Sequence, residues 1–285
     1  MRFTKMQGCG NDYIYVDGSS EEVKNKPEVV RRLSDRHFGI GGDGVIFINP
    51  SDNADFEMEM YNADGSRGKM CGNGIRCVAK FVYDKGLSRK NPLKIESFGS
   101  VKTLYLNIKD DKVDTVRVDM GEPILKAADV PVDPSKTLGF TDSEERLISA
   151  PIKYKSEKEN VTAVSMGNPH AVIFVDNTEK LDLMSIGPVH EHHPAFPEGV
   201  NTEFVQVVDR THLKMRVWER GSGETLACGT GACASLVASV LNGKSDRRVT
   251  IHLLGGDLEI EWDEKDNHIY MTGPATIVFE GEVEV

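Results

Sequence analysis

The sequence predicts an α/β chain of the α+β kind: two pseudo-symmetric homologous domains, each a curved, mostly antiparallel sheet wrapped around a central helix. Three observations predict it. Two blocks nearly spell each other, Cys71-Gly72-Asn73-Gly74 and Cys228-Gly229-Thr230-Gly231. The segments before them recur in the same order, at an offset of 157 residues for the cysteines (228 − 71) and for two Gly-Asn pairs (167 − 10). The run opened by the second block is apolar on all sides, and a helix of that kind has to be enclosed.

Each element follows from its pattern. Gly10-Asn11 leads into Ile14-Tyr15-Val16-Asp17, and Gly167-Asn168-Pro169-His170 leads into an apolar run closed by Asp176. Both read as strands, although the closing aspartates are two residues out of register. Residues 56–62 and 213–219 alternate apolar and polar, the period of a half-buried strand. Met58 and Met215 each stand 13 residues before their cysteine, and Tyr61 and Trp218 each stand 10 before. Turns follow at Asn62-Ala63-Asp64-Gly65-Ser66 and Arg220-Gly221-Ser222-Gly223. After Cys71, Ile75, Val78, Ala79 and Val82 keep helical spacing, with Gly86 as the C-cap. The second helix is 232–241, stopped by Asn242-Gly243. Further strands are expected at 93–97, 101–108, 115–120, 249–254, 258–262 and 269–272. The repeat boundary falls near Met120 to Pro123, which gives domains 1–120 and 121–274. The last strand, 275–279, is expected to return with 275–285 to the first domain.

Composition narrows the function. The chain has 285 residues, 39% of them apolar and 28% charged, as in soluble globular proteins. A net charge of −11 leaves no basic excess to neutralise phosphates, so no nucleic-acid partner is expected. Neither a signal peptide nor a membrane-spanning run is apparent, so a cytoplasmic protein with no membrane partner is expected. Five cysteines, Cys9, Cys71, Cys77, Cys228 and Cys233, form no C-x-x-C pair and an odd count. They read neither as a disulfide framework nor as a zinc site, and no metal is expected. Cys9, Cys77 and Cys233 read as small core or site-lining residues. His190, His192 and His193, between Pro188 and Pro194, read as a surface loop. Glu144-Glu145 and Asp110-Asp111 read as solvated turns.

Cys71 and Cys228 each precede a glycine-rich turn that opens a helix. The positive end of a helix dipole and its unpaired N–H groups favour a thiolate. One activated cysteine would suggest acyl transfer and would need a nearby base, usually histidine, which neither block carries. Two thiols can do something else. One, as thiolate, removes a proton from a carbon, and the other, as thiol, returns one to the opposite face, which inverts the centre. The carbanion needs preorganised donors, and the N–H groups around Gly72-Asn73 and Gly229-Thr230 could hold an α-carboxylate. Composition and spacing alone reach a two-thiol racemase of a polar amino acid. The reading from another class is a redox or binding protein in which Cys71 and Cys228 form a reversible disulfide.

The stretch from Asn62-Ala63-Asp64-Gly65-Ser66 through Cys71-Gly72-Asn73-Gly74-Ile75-Arg76-Cys77 resembles one signature of the diaminopimelate epimerase family. The stretch from Trp218-Glu219-Arg220-Gly221 through Cys228-Gly229-Thr230-Gly231-Ala232 resembles its second. The likeness runs from Met6 to Ala275. It implies a cofactor-independent epimerase that interconverts LL- and meso-diaminopimelate on the route to lysine and peptidoglycan. It also implies an active site in the cleft between two domains and, commonly, a homodimer. Carried over by position, Cys71 and Cys228 are the base and acid pair, tuned by His170 and Glu219. Asn11, Asn62, Asn168, Asn201 and Arg220 bind the substrate's amino and carboxylate groups, and Glu219 contacts an amino group. Gly72, Asn73, Gly229 and Thr230 hold the reacting carboxylate. The fork of Arg220 suits a carboxylate, and amides can donate and accept. The chain departs from the pattern at Gly44, where many members carry Gln. Asp43, backbone groups or water are left to replace that distal contact. Proline and hydroxyproline racemases share the two-thiol logic but typically read Cys-Gly-His-Gly where this chain has Asn73. Phenazine-type isomerases lack the thiol pair.

Overall fold

The computed structural model describes residues 1–138, 145–154 and 157–285. The chain divides into two compact units: Met1–Asp119 with Thr272–Val285, and Met120–Met271.

The first unit begins with β1 (Arg2–Gly8), β2 (Asn11–Asp17), α1 (Lys26–Ser34), β3 (Gly44–Asn49) and β4 (Phe56–Asn62). It continues with α2 (Gly72–Asp84), β5 (Leu93–Ser97), β6 (Ser100–Lys109) and β7 (Lys112–Gly121). β1 pairs antiparallel with β2, and β2 pairs parallel with β3 across the crossover that holds α1. β3 pairs antiparallel with β4, and β4 pairs parallel with β5 across the crossover that holds α2. β5, β6 and β7 form an antiparallel meander. Ile75, Cys77, Val78, Ala79 and Val82 of α2 are fully buried. Lys85 caps the helix, and Gly86 follows at φ 76°, the left-handed position that ends a helix cleanly.

The second unit carries β8 (Ala150–Tyr154), β9 (Glu157–Ser165), β10 (Pro169–Phe174), α3 (Leu183–Glu191) and β11 (Asn201–Val207). Then come β12 (His212–Glu219), β13 (Gly223–Glu224), α4 (Gly229–Leu241), β14 (Arg248–Leu253), β15 (Gly256–Trp262) and β16 (Ile269–Pro274). The final strand, β17 (Thr276–Glu282), pairs antiparallel with β1 in the first unit. The ladder repeats that of the first unit. β9 and β10 are antiparallel, β10 and β11 parallel, β11 and β12 antiparallel, β12 and β14 parallel, and β14 and β15 antiparallel. The repeat holds at the level of register. Ile46 stands opposite Tyr15 and Met60, and Glu203 stands opposite Val172 and Val217. All three positions differ by 157 (203 − 46, 172 − 15, 217 − 60). Ala232 through Ser239 of α4 are all buried, as an all-apolar helix requires. The α+β class and the helix-centred sheet of each half are those the sequence predicts.

The sequence reading did not anticipate α1 or α3. α1 opens with Pro27 in its first turn and buries only Val30, Leu33 and Ser34, a narrow apolar stripe. α3 contains Gly187 and Pro188, two residues that normally break helices. The expectation of a surface loop for the three histidines is corrected at His190; His192 is exposed and His193 half-buried, both past the end of the helix. His190 lies in α3 and is buried. Its Nε2 faces Glu159 Oε2 at 2.8 Å, and its ring stacks on Tyr154 at 3.9 Å between centroids. An aromatic wall and a carboxylate partner make burial favourable despite the flanking prolines. Glu144 lies outside the described residues, and Glu145 is exposed. Among the described residues no helix is long and apolar enough to cross a membrane.

Candidate active site

In the first unit, Cys71 is the N-cap of α2. Its Sγ accepts the Gly74 N–H at 3.2 Å and faces Asn11 Oδ1 at 3.0 Å. Gly74 makes this closeness possible, because a Cβ there would lie 2.9 Å from Ile46 Cδ1 and 3.3 Å from Cys71 Cβ. The two contacts suit opposite protonation states. The N–H supports a thiolate, and the amide oxygen accepts from a thiol. The Asn11 amide cannot turn freely, since its Nδ2 donates to Asp43 Oδ2 at 2.7 Å. Asp43 is held in turn by the Asp12 N–H at 3.1 Å and by Arg36 Nη2 at 2.9 Å. Beneath the helix start lies Arg76, fully buried. Its guanidinium donates to the carbonyls of Gly72 (3.1 Å) and Pro274 (3.2 Å). Gly72 and Asn73 are buried in the first turn of α2.

Asn62 ends β4 opposite Gly44. Its Nδ2 donates to Ser66 Oγ at 3.0 Å, and its N–H to the Ser66 carbonyl at 2.9 Å, so these bonds close the predicted turn. Gly44 has a steric reason. A Cβ there would lie 1.9 Å from the Tyr61 carbonyl oxygen, so this backbone has no room for a glutamine. Asp43, one of the candidates to replace the distal contact, accepts from Asn11 and Arg36.

In the second unit, Cys228 is the N-cap of α4, and its Sγ lies 3.6 Å from Thr230 Oγ1. Gly229 is buried and Thr230 half-buried. The helix-start argument predicts a thiolate-favouring setting for both cysteines, and for Cys228 the structure reverses it. Burial pushes this thiol well above its ordinary value, and the carboxylates of Glu219 and Glu203 push it further. Thr230 and the Gly231 N–H oppose them without prevailing. A helix terminus contributes about 0.3–1 kcal/mol to a charge near it, whereas an ion buried without pairing costs several. Glu219 ends β12 and accepts the Thr225 hydroxyl. Burial raises its carboxyl, and the Thr225 and Cys228 hydrogen bonds only partly offset that.

His170 on β10 is fully buried. Its Nε2 faces Asn168 Oδ1 at 3.1 Å and its Nδ1 faces Glu203 Oε1 at 2.7 Å. Asn201 is occupied within the unit. Its Nδ2 donates to the Pro169 carbonyl at 3.0 Å, and its Oδ1 accepts the Arg220 N–H at 2.8 Å. Arg220 is exposed and donates to the Glu198 carbonyl at 2.8 Å. Glu191 accepts Trp218 Nε1 (2.7 Å) and the Gly221 N–H (2.9 Å), which fixes both flanks of Glu219-Arg220. The structure thus gathers Cys71 with Asn11, Cys228 with Glu219 and Thr230, His170 with Asn168, and Asn201 with Arg220. Sequence reasoning missed Glu203, Thr225 and Glu191. A signal existed for Glu203, which stands two residues after Asn201 on a strand and therefore shares its face.

The family model described as diaminopimelate epimerase matches residues 3–126 and 162–278. A diaminopimelate epimerase of Acetivibrio thermocellus is 57% identical over 285 residues, covering 100% of this chain and 99% of its own. One from Methanococcus maripaludis strain C6 is 56% identical over 285 residues, covering 100% of both chains. Among solved structures, a Bacillus anthracis phenazine biosynthesis protein of the PhzF family matches with a TM-score of 0.71 at 15% identity. It covers 100% of this chain and 99% of that one. A hydroxyproline epimerase from Agrobacterium vitis matches at 0.67 and 13%, covering 99% and 90%. Those two likenesses speak for the fold alone. The two stretches matched by the family model and the identity over the whole chain settle the family: this chain belongs to the diaminopimelate epimerases.

Proposed function

We propose that this protein interconverts LL- and meso-2,6-diaminopimelate without a cofactor, with Cys71 and Cys228 as the two acid–base groups. The observation that carries the reading is that both thiols cap the central helix of their unit at equivalent places, inside a chain of this family. One cysteine, as thiolate, takes the α-proton. The C–H electron pair moves into the α-carboxylate, and the other thiol delivers a proton to the opposite face. The roles exchange in the reverse direction, and the paired contacts of Cys71 with Gly74 and Asn11 suit such alternation. N–H groups of Gly72, Asn73, Gly229 and Thr230 stabilise charge developing on the carboxylate. Arg220 clamps a substrate carboxylate. Asn11, Asn62, Asn168 and Asn201 contribute to the amino and carboxylate contacts directly or by fixing their neighbours, and Glu219 pairs with an ammonium. His170 and Glu219 tune Cys228. The enzyme works as a homodimer in the cytoplasm without a nucleic-acid or membrane partner, and the net charge of −11 speaks against nucleic acid.

Proton NMR of the reduced protein with LL-diaminopimelate in heavy water tests this, with proline in a parallel tube. Loss of the α-proton signal with appearance of the meso isomer is expected. Exchange with proline alone, or silence in both tubes with free thiols confirmed, contradicts the proposal.

A further inference from the structure

We propose that Glu203 is the positioning residue that makes the second thiol centre chemically unlike the first, by seating the His170 ring through its Nδ1 edge. This rests on the epimerase reading above for its consequence in turnover, though not for its geometry. The two centres are built alike. Gly74 and Gly231 differ by 157 (231 − 74), as do Ile46 and Glu203 (203 − 46), and each glycine packs on its partner strand residue. A Cβ on Gly74 would meet Ile46 Cδ1 at 2.9 Å, and one on Gly231 would meet Glu203 Oε1 at 2.6 Å. Where the first unit sets an isoleucine under the helix start, the second sets a carboxylate.

That carboxylate is fully buried. Its Oε1 takes His170 Nδ1 at 2.7 Å, and its Oε2 has no hydrogen-bond partner among the described residues. A half-satisfied buried carboxylate is costly. The position therefore does something a plain core residue would not. Two features make it tolerable: the imidazole, and the N-terminal turn of α4, where a negative charge is favoured. Glu203 thereby occupies the positive end of α4, which Cys228 would otherwise have to itself. Three charged or titratable side chains of this unit act around Cys228 or its neighbours: Glu219 on β12, Glu203 on β11 and His170 on β10. Two are carboxylates that oppose a thiolate. Glu203 therefore has two separable effects. Its hydrogen bond fixes the ring, and its charge keeps the proton on Cys228.

Glu203→Gln and Glu203→Ile separate these effects, the first keeping an acceptor without charge, the second reproducing the residue at position 46. Alkylation by iodoacetamide, followed for each cysteine by mass spectrometry across pH, reads the charge. At pH 8 Cys228 is expected to react severalfold faster in both variants, because the Glu203 carboxylate that opposes its thiolate is gone, with Cys71 within about twofold of wild type. Nitrogen-15 NMR of histidine-labelled protein reads the ring: Glu203→Gln keeps the wild-type His170 ring signals, and Glu203→Ile does not. In turnover, Glu203→Ile loses about tenfold in kcat with KM little changed, and Glu203→Gln recovers most of it. Unchanged Cys228 alkylation in folded Glu203→Gln, or equal acceleration at Cys71, overturns the proposal. If Glu203→Ile does not fold, Glu203→Gln still decides the charge effect, and Glu203→Ala, read by the same histidine NMR, decides the seating of the ring. The alkylation and NMR readouts need no substrate, so a wild type silent toward diaminopimelate counts against the function and not against this inference.

Discussion

At Asn11 the amide is locked by Asp43, and that lock decides which face of the amide Cys71 meets. Asp43→Ala should free it and lower kcat severalfold, because the amide oxygen is then no longer held toward the thiol; steady-state kinetics beside a melting curve would separate this from unfolding. Cys77 provides a contrast among the thiols. Burial pushes it up to about 11 from an ordinary 9.0, so it should resist iodoacetamide at pH 8 in the folded protein. The sign for stability follows. Below about pH 9 both folded and unfolded chains keep the proton, and the group has no effect. Between about 9 and 11 the unfolded chain releases it first, so stability falls as pH rises. At pH 10 the loss is about 1.4 kcal/mol. Urea unfolding at pH 8 and pH 10 should show this extra slope in wild type and not in Cys77→Ala, which should also keep its turnover. The two helix-start cysteines were legible in the sequence because their blocks repeat. The reversed setting of Cys228 was not, because its cause is burial beside Glu203 and Glu219, and burial is a property of the folded unit.

Among the elements, α2 was legible from a capping cysteine, helical spacing and a closing glycine, and α4 from a capping cysteine, an unbroken apolar run and a closing glycine. α3 was hidden by Gly187 and Pro188. The structure explains the glycine: a Cβ at 187 would lie 2.1 Å from Trp218 Cδ2, so the helix can lie on the indole only with no side chain there. Gly187→Ala should therefore cost about 1–3 kcal/mol, the range for overpacking a filled site, and should lower the melting temperature measurably. The alternating strands β4 and β12 were readable for the ordinary reason that one face is wet. The helix α1 is amphipathic but spans only 9 residues, several of them charged, and so is too short for its period to separate it from a polar loop.

At the scale of the whole molecule, the duplication written in the sequence continues into the ladder, where corresponding residues keep the same partners 157 positions apart. Symmetry of that kind suits a reaction whose reverse exchanges the roles of its two acid–base groups. The differences between the halves carry the rest: Ile46 against Glu203, and Tyr13 against His170 (170 − 13 = 157). Such substitutions inside a conserved register read as ordinary core residues until the fold shows what they touch. Neither thiol should suffice alone. The direct measurement is the rate of meso-diaminopimelate formation from LL-diaminopimelate in heavy water by Cys71→Ala and Cys228→Ala, each beside the folded wild type. A loss of at least about a hundredfold in both variants is predicted, from the usual weight of a positioned acid or base. Wild-type turnover in either one would contradict the two-thiol account.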